Sequence, residues 1–364
     1  MRRDKPAGSG YVTLQMIADR AEVSCTTVSL ALRNNPKISA PMRDRVHALA
    51  RELGYRANPL ISAHLSYLRA LRPKRSGLCI AFLSSHPLAE IRTDTRTPLN
   101  QYYNGACVRA HDLGFELELF NLFDAGMSGR RLCQILLARG IAGVIIAPLT
   151  EGKALDDVTL EWDSFAFAMI EHTFTKPRLH KVCNDEFSTI GRLIQRLLNC
   201  GFTRIGIAMP SRADEHANHF WLAGYQTFQS LTEPRHRIPH LITPHWSRDE
   251  VLAWYRKWKP EAIITISADV VTWLRESRIR VPEDVSCATL YWRQERAYLS
   301  GYYQNHELMA AAAVDLVAGQ LNRNERGLPA SEKTMLIQAE WRDGETILPK
   351  LVADEAAALR VWKR

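Results

Sequence analysis

Short polar side chains cluster near the start of the sequence, within Val12–Leu32. They carry hydroxyl or thiol groups that make single hydrogen bonds, and they are Thr13, Ser24, Cys25, Thr26, Thr27 and Ser29. Hydroxyl oxygens cap helices, and on an open helix face they bind phosphates or base edges of nucleic acid. The sequence contains no G-x-S-x-G, H-E-x-x-H or P-loop pattern, so these residues do not predict an enzyme.

The apolar spacing around this cluster predicts two short helices joined by a tight turn. Thr13 precedes the first helix and Ser24 the second, with the break at Glu22-Val23. The inward positions are Leu14, Ile17, Ala18, Ala21, Val28 and Leu32. A third amphipathic run follows Ser39, ends at Gly54, and turns Val46, Leu49, Ala50 and Leu53 to one side. Three such helices form a helix-turn-helix unit, whose second helix lies in the DNA major groove.

The same stretch resembles the N-terminal domain of the LacI family of transcriptional regulators. The resemblance is carried in order by "T-x-x-x-I-A", "V-S-x-x-T-V-S-x-x-L", "R-x-R-V" and "E-L-G-Y-R-x-N-P". It extends more loosely through Val182–Gly191, "HFWLAGY", "VPEDVS" and the helix near Ala311–Leu321. It implies a DNA-binding regulator with a periplasmic-binding-protein-like core and a ligand between two subdomains.

The resemblance places base-reading positions at Cys25, Thr26 and Leu30, with Thr27 and Ser29 near phosphates. None of these is Arg, Gln or Asn, which make the bidentate contacts to guanine or adenine, so we expect modest sequence discrimination. Affinity is expected to come from phosphate contacts. The residues assigned to them are Arg33, Arg43, Arg56 and their neighbours, and Asn58 belongs to the same "GYRANP" motif.

Two positions depart from the family pattern. Glu22 stands where a turn glycine is usual, which costs ~1 kcal/mol if the turn keeps a positive φ. Direct counting puts His64, followed by Leu65, where the family wedges a leucine into the minor groove. Either Leu65 takes that role in a shifted helix, or the segment is an interdomain helix that does not wedge.

The positive charge of the chain is concentrated at one end. Residues 1–76 contain 14 basic and five acidic residues, a net charge of +9, whereas residues 77–364 contain 33 and 34, a net charge of −1. This localisation is typical of a module that binds a phosphate backbone. The seven cysteines form no CxxC pair and no zinc spacing, and no signal peptide or membrane span is recognisable. We therefore expect a cytoplasmic protein with reduced thiols and no cofactor.

From Gly77 the pattern alternates apolar strands with amphipathic helices, which predicts open parallel α/β sheets in two subdomains. The predicted organisation is a flexible arm (1–11), a helix-turn-helix domain (12–58), a hinge helix and linker (59–76), an effector-binding core (77–344) and a C-terminal tail (345–364) that resembles a helix.

The resemblance also selects cleft positions, since ligands of such sheets lie beyond the carboxyl ends of the strands. Where the family has an Arg, an Asn-Asp pair and an acid pair, this sequence has Trp221, Ala268-Asp269 and Tyr291-Trp292. Gln304 approaches the same region, and Tyr102 and Tyr103 are placed on the opposite wall. Asp269 is alternatively a helix N-cap. The aromatic residues are compatible with a sugar-like effector, another small molecule, or a cleft filled by packing with no effector.

The sequence thus predicts a homodimeric, effector-modulated repressor of a palindromic operator. A regulator without effector and a weakly specific architectural DNA-binding protein remain the alternatives. Glu215-His216 and His219 could suggest a metal pair, but their polar surroundings favour a solvated turn.

Overall fold

The computed structural model describes residues 12–32, 38–55, 78–94, 97–124, 127–149, 160–172 and 176–350. The predictions for the arm, the hinge segment and the tail beyond residue 350 lie outside this part of the chain. So do those for Arg33, Arg56, Asn58, His64 and Leu65.

The N-terminal domain contains the three predicted helices, α1 (Leu14–Ala21), α2 (Cys25–Leu32) and α3 (Ala40–Glu52). They enclose one small apolar core of Ile17, Ala18, Ala21, Val28, Ala31, Val46 and Ala50. Leu32, Leu49 and Leu53 pack half-buried against it, so the predicted inward faces are confirmed. Gly54 follows α3 with φ 71°, a conformation that costs glycine little.

The first subdomain is a six-stranded sheet in the order β11-β5-β4-β3-β1-β2, parallel throughout. Its strands are β1 (Leu78–Ser84), β2 (Phe115–Asn121), β3 (Gly143–Ile146), β4 (Ala166–Ile170), β5 (His180–Asn184) and β11 (Thr334–Ile337). Its helices are α4 (Leu88–Thr93), α5 (Pro98–Asp112), α6 (Gly129–Ala138) and α12 (His306–Arg323). Helices α5 and α12 pack on one face of the sheet and α6 on the other.

The second subdomain repeats this plan in the order β12-β10-β9-β8-β6-β7, with only β12 antiparallel among the strands whose pairing is described. Its strands are β6 (Ile205–Pro210), β7 (Leu241–Thr243), β8 (Ala262–Thr265), β9 (Ser286–Thr289), β10 (Ser300–Tyr303) and β12 (Glu340–Arg342). Its helices are α7 (Glu186–Asn199), α8 (Ser211–His216), α9 (Phe220–Leu231), α10 (Arg248–Trp258) and α11 (Asp269–Glu276). The predicted fold class, a helical domain followed by two parallel α/β subdomains, is confirmed.

The predicted tail helix is wrong for its first six residues. Residues 345–350 form no helix and lie against the second sheet, where Thr346 is fully buried and the Cys287 backbone N–H donates to its carbonyl oxygen over 2.8 Å. Lys350 pairs with Glu261. Ile347 packs against the core of the second sheet, so this part of the segment covers a sheet and not a helix face.

Candidate functional site

The turn between α1 and α2 is built by local caps. The Thr13 hydroxyl accepts from the Met16 backbone N–H, and the Ser24 hydroxyl accepts from the Thr27 N–H over 3.0 Å. Glu22 ends α1 with φ 58° and donates its N–H to Ala18 O, so the left-handed turn is kept without glycine. These bonds fix the angle at which α2 leaves α1.

The outer face of α2 presents Thr26, which is exposed, with Ser29 and Leu30 half-buried beside it. Val28 and Ala31 point the other way and are fully buried. The Thr27 hydroxyl lies 2.9 Å from the Ser24 hydroxyl, so it is already bonded within the turn. Among the predicted reading residues, Thr26, Ser29 and Leu30 therefore share the open face.

Cys25 has a different environment from the one its spacing indicated. It is half-buried, and its thiol donates to Gln15 Oε1 over 3.0 Å. Gln15 is exposed, and its amide Nε2 donates to Asp19 over 2.7 Å. Gln15 was missed because it lies on α1, yet it places an amide, a side chain able to bind adenine edges, beside the start of α2.

Basic side chains on this domain lie around the same helices. Arg20 pairs with Glu52 over 3.3 Å, with both side chains exposed, and Arg43, Arg45 and Arg51 lie on α3. Such surface pairs contribute little stability, so Arg20 can exchange Glu52 for a phosphate at small cost.

Three crossings of the chain connect the two subdomains, and their side chains bond to one another. The first crossing is Asn184–Glu186, the second Gln304-Asn305 and the third Gln338-Ala339. Asn184 Nδ2 donates to Gln304 O over 2.5 Å, and Asn305 Nδ2 donates to Gln338 O over 2.8 Å. The Gln338 amide donates to Asp185 over 2.8 Å. The crossings therefore form one bonded hinge.

Beside this hinge lies a cavity of about 210 Å³ between the subdomains. Three of the predicted cleft residues, Trp221, Tyr291 and Gln304, line it. The other lining residues are Glu171, His172, Cys183, Asn184, Glu186, Ala213, His216, Ala217 and Ile266.

The Glu186 carboxyl lies at the centre of the polar wall. Trp221 Nε1 donates to its Oε2 over 2.7 Å and Gln304 Nε2 to its Oε1 over 3.1 Å. Burial raises the pKa of Glu186 to about 8, although the Trp221 bond acts in the opposite direction. The Trp221 indole N–H therefore orients the Glu186 carboxyl.

Glu171 directly follows β4, and its backbone has φ 65°. Its side chain supplies a second carboxyl group to the cavity. Tyr102 is buried and donates its hydroxyl to Glu171 Oε1. Burial raises the pKa of both the Glu171 carboxyl and the Tyr102 phenol. Tyr102 therefore acts behind the cavity wall, through Glu171.

Aromatic rings separate this cavity from a larger one. His306 contacts the rings of Tyr102, Tyr291 and Tyr303 at centroid distances of 5.0, 5.7 and 5.7 Å. Burial lowers the pKa of His306 to about 4, so it is neutral at pH 7. Beyond it lies a cavity of about 650 Å³, lined by Pro98, Gln101, Trp292, Arg293, Gln294, Glu295, Tyr303, His306 and Arg342.

Three predicted cleft residues line neither cavity: Tyr102, which lies behind Glu171, and also Tyr103 and Asp269. Tyr103 packs edge-on against Phe82, with ring centroids 5.7 Å apart. Asp269 is exposed at the first position of α11, where it accepts from the Ser267 hydroxyl over 2.7 Å. Its alternative role as N-cap is also wrong, because Ala268 occupies that position.

The polar segment around Glu215-His216 is the short helix α8 and not a loop. His216 lines the small cavity, whereas His219 bonds to Asp214 over 2.9 Å. Within the described ranges, no group of three His, Cys, Asp or Glu side chains is arranged to hold a metal ion. No helix in those ranges is both long and apolar enough to cross a bilayer.

The sequence reasoning missed Glu171, Asn184, Glu186 and His306. A signal was present for the first three, since Glu171 directly follows β4 and Asn184–Glu186 follow or end β5. The carboxyl ends of parallel strands form the ligand edge of such sheets. His306 carried no comparable signal, because its neighbours come from distant parts of the chain.

Residues 13–58 match the family model of bacterial regulatory proteins of the lacI family, and residues 194–347 match that of a periplasmic binding protein-like domain. No curated protein sequence matches the chain.

Solved structures share the fold at low sequence identity. The lac repressor dimer bound to operator and the anti-inducer ONPF is 19% identical, with 93% of this chain and 99% of that one covered and a TM-score of 0.53. The complex of the regulator CelR with cellobiose is 18% identical, covers 92% and 99%, and has a TM-score of 0.53. A LacI family regulator from Enterococcus faecium with bound ribose is 16% identical, covers 75% and 99%, and has a TM-score of 0.54.

Proposed function

Because this chain belongs to the LacI family of bacterial regulatory proteins, we propose that it is a sequence-specific repressor that binds a palindromic operator as a homodimer. In this proposal a small molecule in the interdomain cleft modulates DNA binding. A protein with this task acts in the cytoplasm.

The observation that carries the DNA-binding proposal is the geometry of α2. Its open face carries Thr26, Ser29 and Leu30, while Val28 and Ala31 anchor it to α1 and α3. A helix held in this way enters the major groove with its outer side chains toward the base edges. Two copies in a dimer would occupy half-sites about one helical turn apart.

The bonded hinge supports the proposal that a ligand regulates DNA affinity. Asn184, Glu186 and Gln304 belong to the crossings and also line the small cavity. A ligand there would contact the segments about which the subdomains move. We expect the coupling to DNA binding to be ~1–3 kcal/mol, the ordinary range for allostery.

A footprint of the full-length protein on DNA flanking its own gene tests this function. A regulator protects a discrete palindrome, whereas an architectural protein covers the fragment without preference. As a control, a chain that begins at residue 77 should protect neither the palindrome nor the rest of the DNA fragment. Equal binding with and without residues 1–76 would contradict the proposal.

A further inference from the structure

Three hydrogen-bond donors beside the small cavity are already engaged with protein acceptors. Trp221 Nε1 and Gln304 Nε2 donate to the two oxygens of Glu186, and the Tyr102 hydroxyl donates to Glu171. A ligand therefore meets the carboxyl oxygens of Glu186 and Glu171 on this wall, together with His172 Nε2, which bonds to no described residue.

Asn184 provides an unsatisfied acceptor on the same wall. Its side chain is 4% exposed, and Oδ1 receives no hydrogen bond from any residue that the structure describes. The amide orientation is fixed, because Nδ2 donates to Gln304 O over 2.5 Å. A buried carbonyl without a donor costs ~1–3 kcal/mol, so this atom favours a ligand that brings an N–H or O–H group.

The ionisable groups that line the cavity are two carboxyls and two imidazoles, and His216 lowers the pKa of the Glu171 carboxyl against the larger effect of burial. Glu171 and Glu186 both line the cavity, and none of the described lining residues is Lys or Arg. His172 does not supply a compensating charge, since burial and Lys181 lower the pKa of its imidazole. The rings of Trp221 and Tyr291 complete the wall, and aromatic faces attract cations.

We propose that the ligand of this cleft is a small aliphatic ammonium compound, held by Glu171, Glu186 and Asn184 Oδ1 against Trp221 and Tyr291. This inference deepens the proposed regulatory function and rests on it. Burial raises the pKa of both carboxyl groups because their charged forms are unfavourable there; an ammonium group beside them would stabilise the charged forms, whereas a neutral polyol would not. The cavity of about 210 Å³ equals roughly seven water volumes of ~30 Å³, which is enough for a chain of about six non-hydrogen atoms.

Calorimetric titration of the full-length protein with a series of equal length tests the charge requirement. The probes are 1,4-diaminobutane, 4-amino-1-butanol and 1,4-butanediol, which differ in the number of ammonium groups. We expect affinity to fall in that order, by about tenfold or more between the diamine and the diol. Ribose and cellobiose are the rival probes, because carboxylates also accept hydrogen bonds from sugar hydroxyls. Binding of a sugar or the diol as tightly as the diamine, or no binding of the diamine, would overturn the inference.

Variants test the contact residues. Glu186→Gln and Glu171→Gln keep side-chain size and should each weaken diamine binding about tenfold. Glu215→Gln, an exposed position on α8 outside the cavity lining, should leave it unchanged. Equal loss in all three variants would indicate a general charge effect and contradict the assignment. If circular dichroism shows that the Glu186→Gln variant is unfolded, the comparison of Glu171→Gln with Glu215→Gln tests the assignment by itself.

The footprint distinguishes this inference from the regulatory function. A discrete footprint that the diamine shifts supports both. A discrete footprint in a protein that binds no diamine overturns the ligand class and leaves the regulator intact. Diamine binding without any footprint overturns the regulatory function, while the cleft contacts stand on the titration.

Discussion

Hydrogen bonds in the DNA-binding domain and in the ligand cleft span very different distances along the chain. On α2, Ser24 bonds to Thr27 and Cys25 bonds to Gln15, three and ten positions away. In the cleft, Glu186 bonds to Trp221 and Gln304, 35 and 118 positions away. The first site can form as soon as its helices do, whereas the second requires both subdomains in place.

The largest effect is expected from a substitution that disrupts the small apolar core of the N-terminal domain and leaves the cleft unchanged. Ile17 is fully buried among α1, α2 and α3, and Ile17→Ala should destabilise that domain by ~2–5 kcal/mol, since a cavity is left behind. DNA affinity should collapse in gel shifts while the thermal transition of the core is unchanged. Met16→Ala, at a neighbouring exposed position, is the control. A parallel loss of core stability would show that the two regions fold as one unit.

The dependence of core stability on pH tests the carboxyl groups of the cleft. A carboxyl whose folded pKa is raised contributes stability below its unfolded pKa, and this is lost as pH rises through the folded value. For Glu186 that window runs from about 4.5 to about 8, and Glu171 is shifted in the same direction, while Asp185 adds repulsion. The melting temperature of the core should therefore fall by a few degrees between pH 5 and 8. Glu186→Gln should flatten the curve, and an unchanged slope would contradict this assignment.

Removing single hydroxyl groups from α2 tests the proposed DNA-binding surface. Thr26→Ala and Ser29→Ala should each weaken operator binding by ~1 kcal/mol, or about fivefold, with little change in non-specific binding. Competition with unrelated DNA measures the two affinities. Thr227→Ala, an exposed helical threonine bonded to its own helix at Ala223, is the control. If both affinities fall equally, α2 does not read bases.

The smallest expected effect concerns the turn. Glu22 has φ 58°, so Glu22→Gly should relieve strain and stabilise the domain by up to ~1 kcal/mol, less the added freedom of the unfolded glycine. Chemical denaturation measures it. Glu22→Ala removes the carboxylate but keeps the strained backbone, so it should give no gain.

Sequence reasoning succeeded where the determining contacts are local. The caps at Thr13 and Ser24 and the faces of α1 to α3 follow from spacings of three or four residues. The strands β1, β3, β4 and β8 were recognisable because they are buried apolar runs.

It failed where position depends on distant partners. Strand β11 is largely exposed and β7 has three half-buried residues, so neither is the buried apolar run by which the other strands were predicted. Trp221 was assigned to the cleft, but its partner Glu186 was not foreseen, because only the fold brings α9 beside the start of α7. The bond between the Cys25 thiol and Gln15 was also not predicted, because it joins two different helices.

The three crossings of the chain between the subdomains have a consequence for synthesis on the ribosome. The first sheet lacks its edge strand β11 until Ile337 has emerged, and the second lacks β12 until Arg342. The three helices that carry the DNA-binding face are complete at Tyr55. A nascent chain can thus present a folded N-terminal domain long before the sheet of either subdomain can be completed.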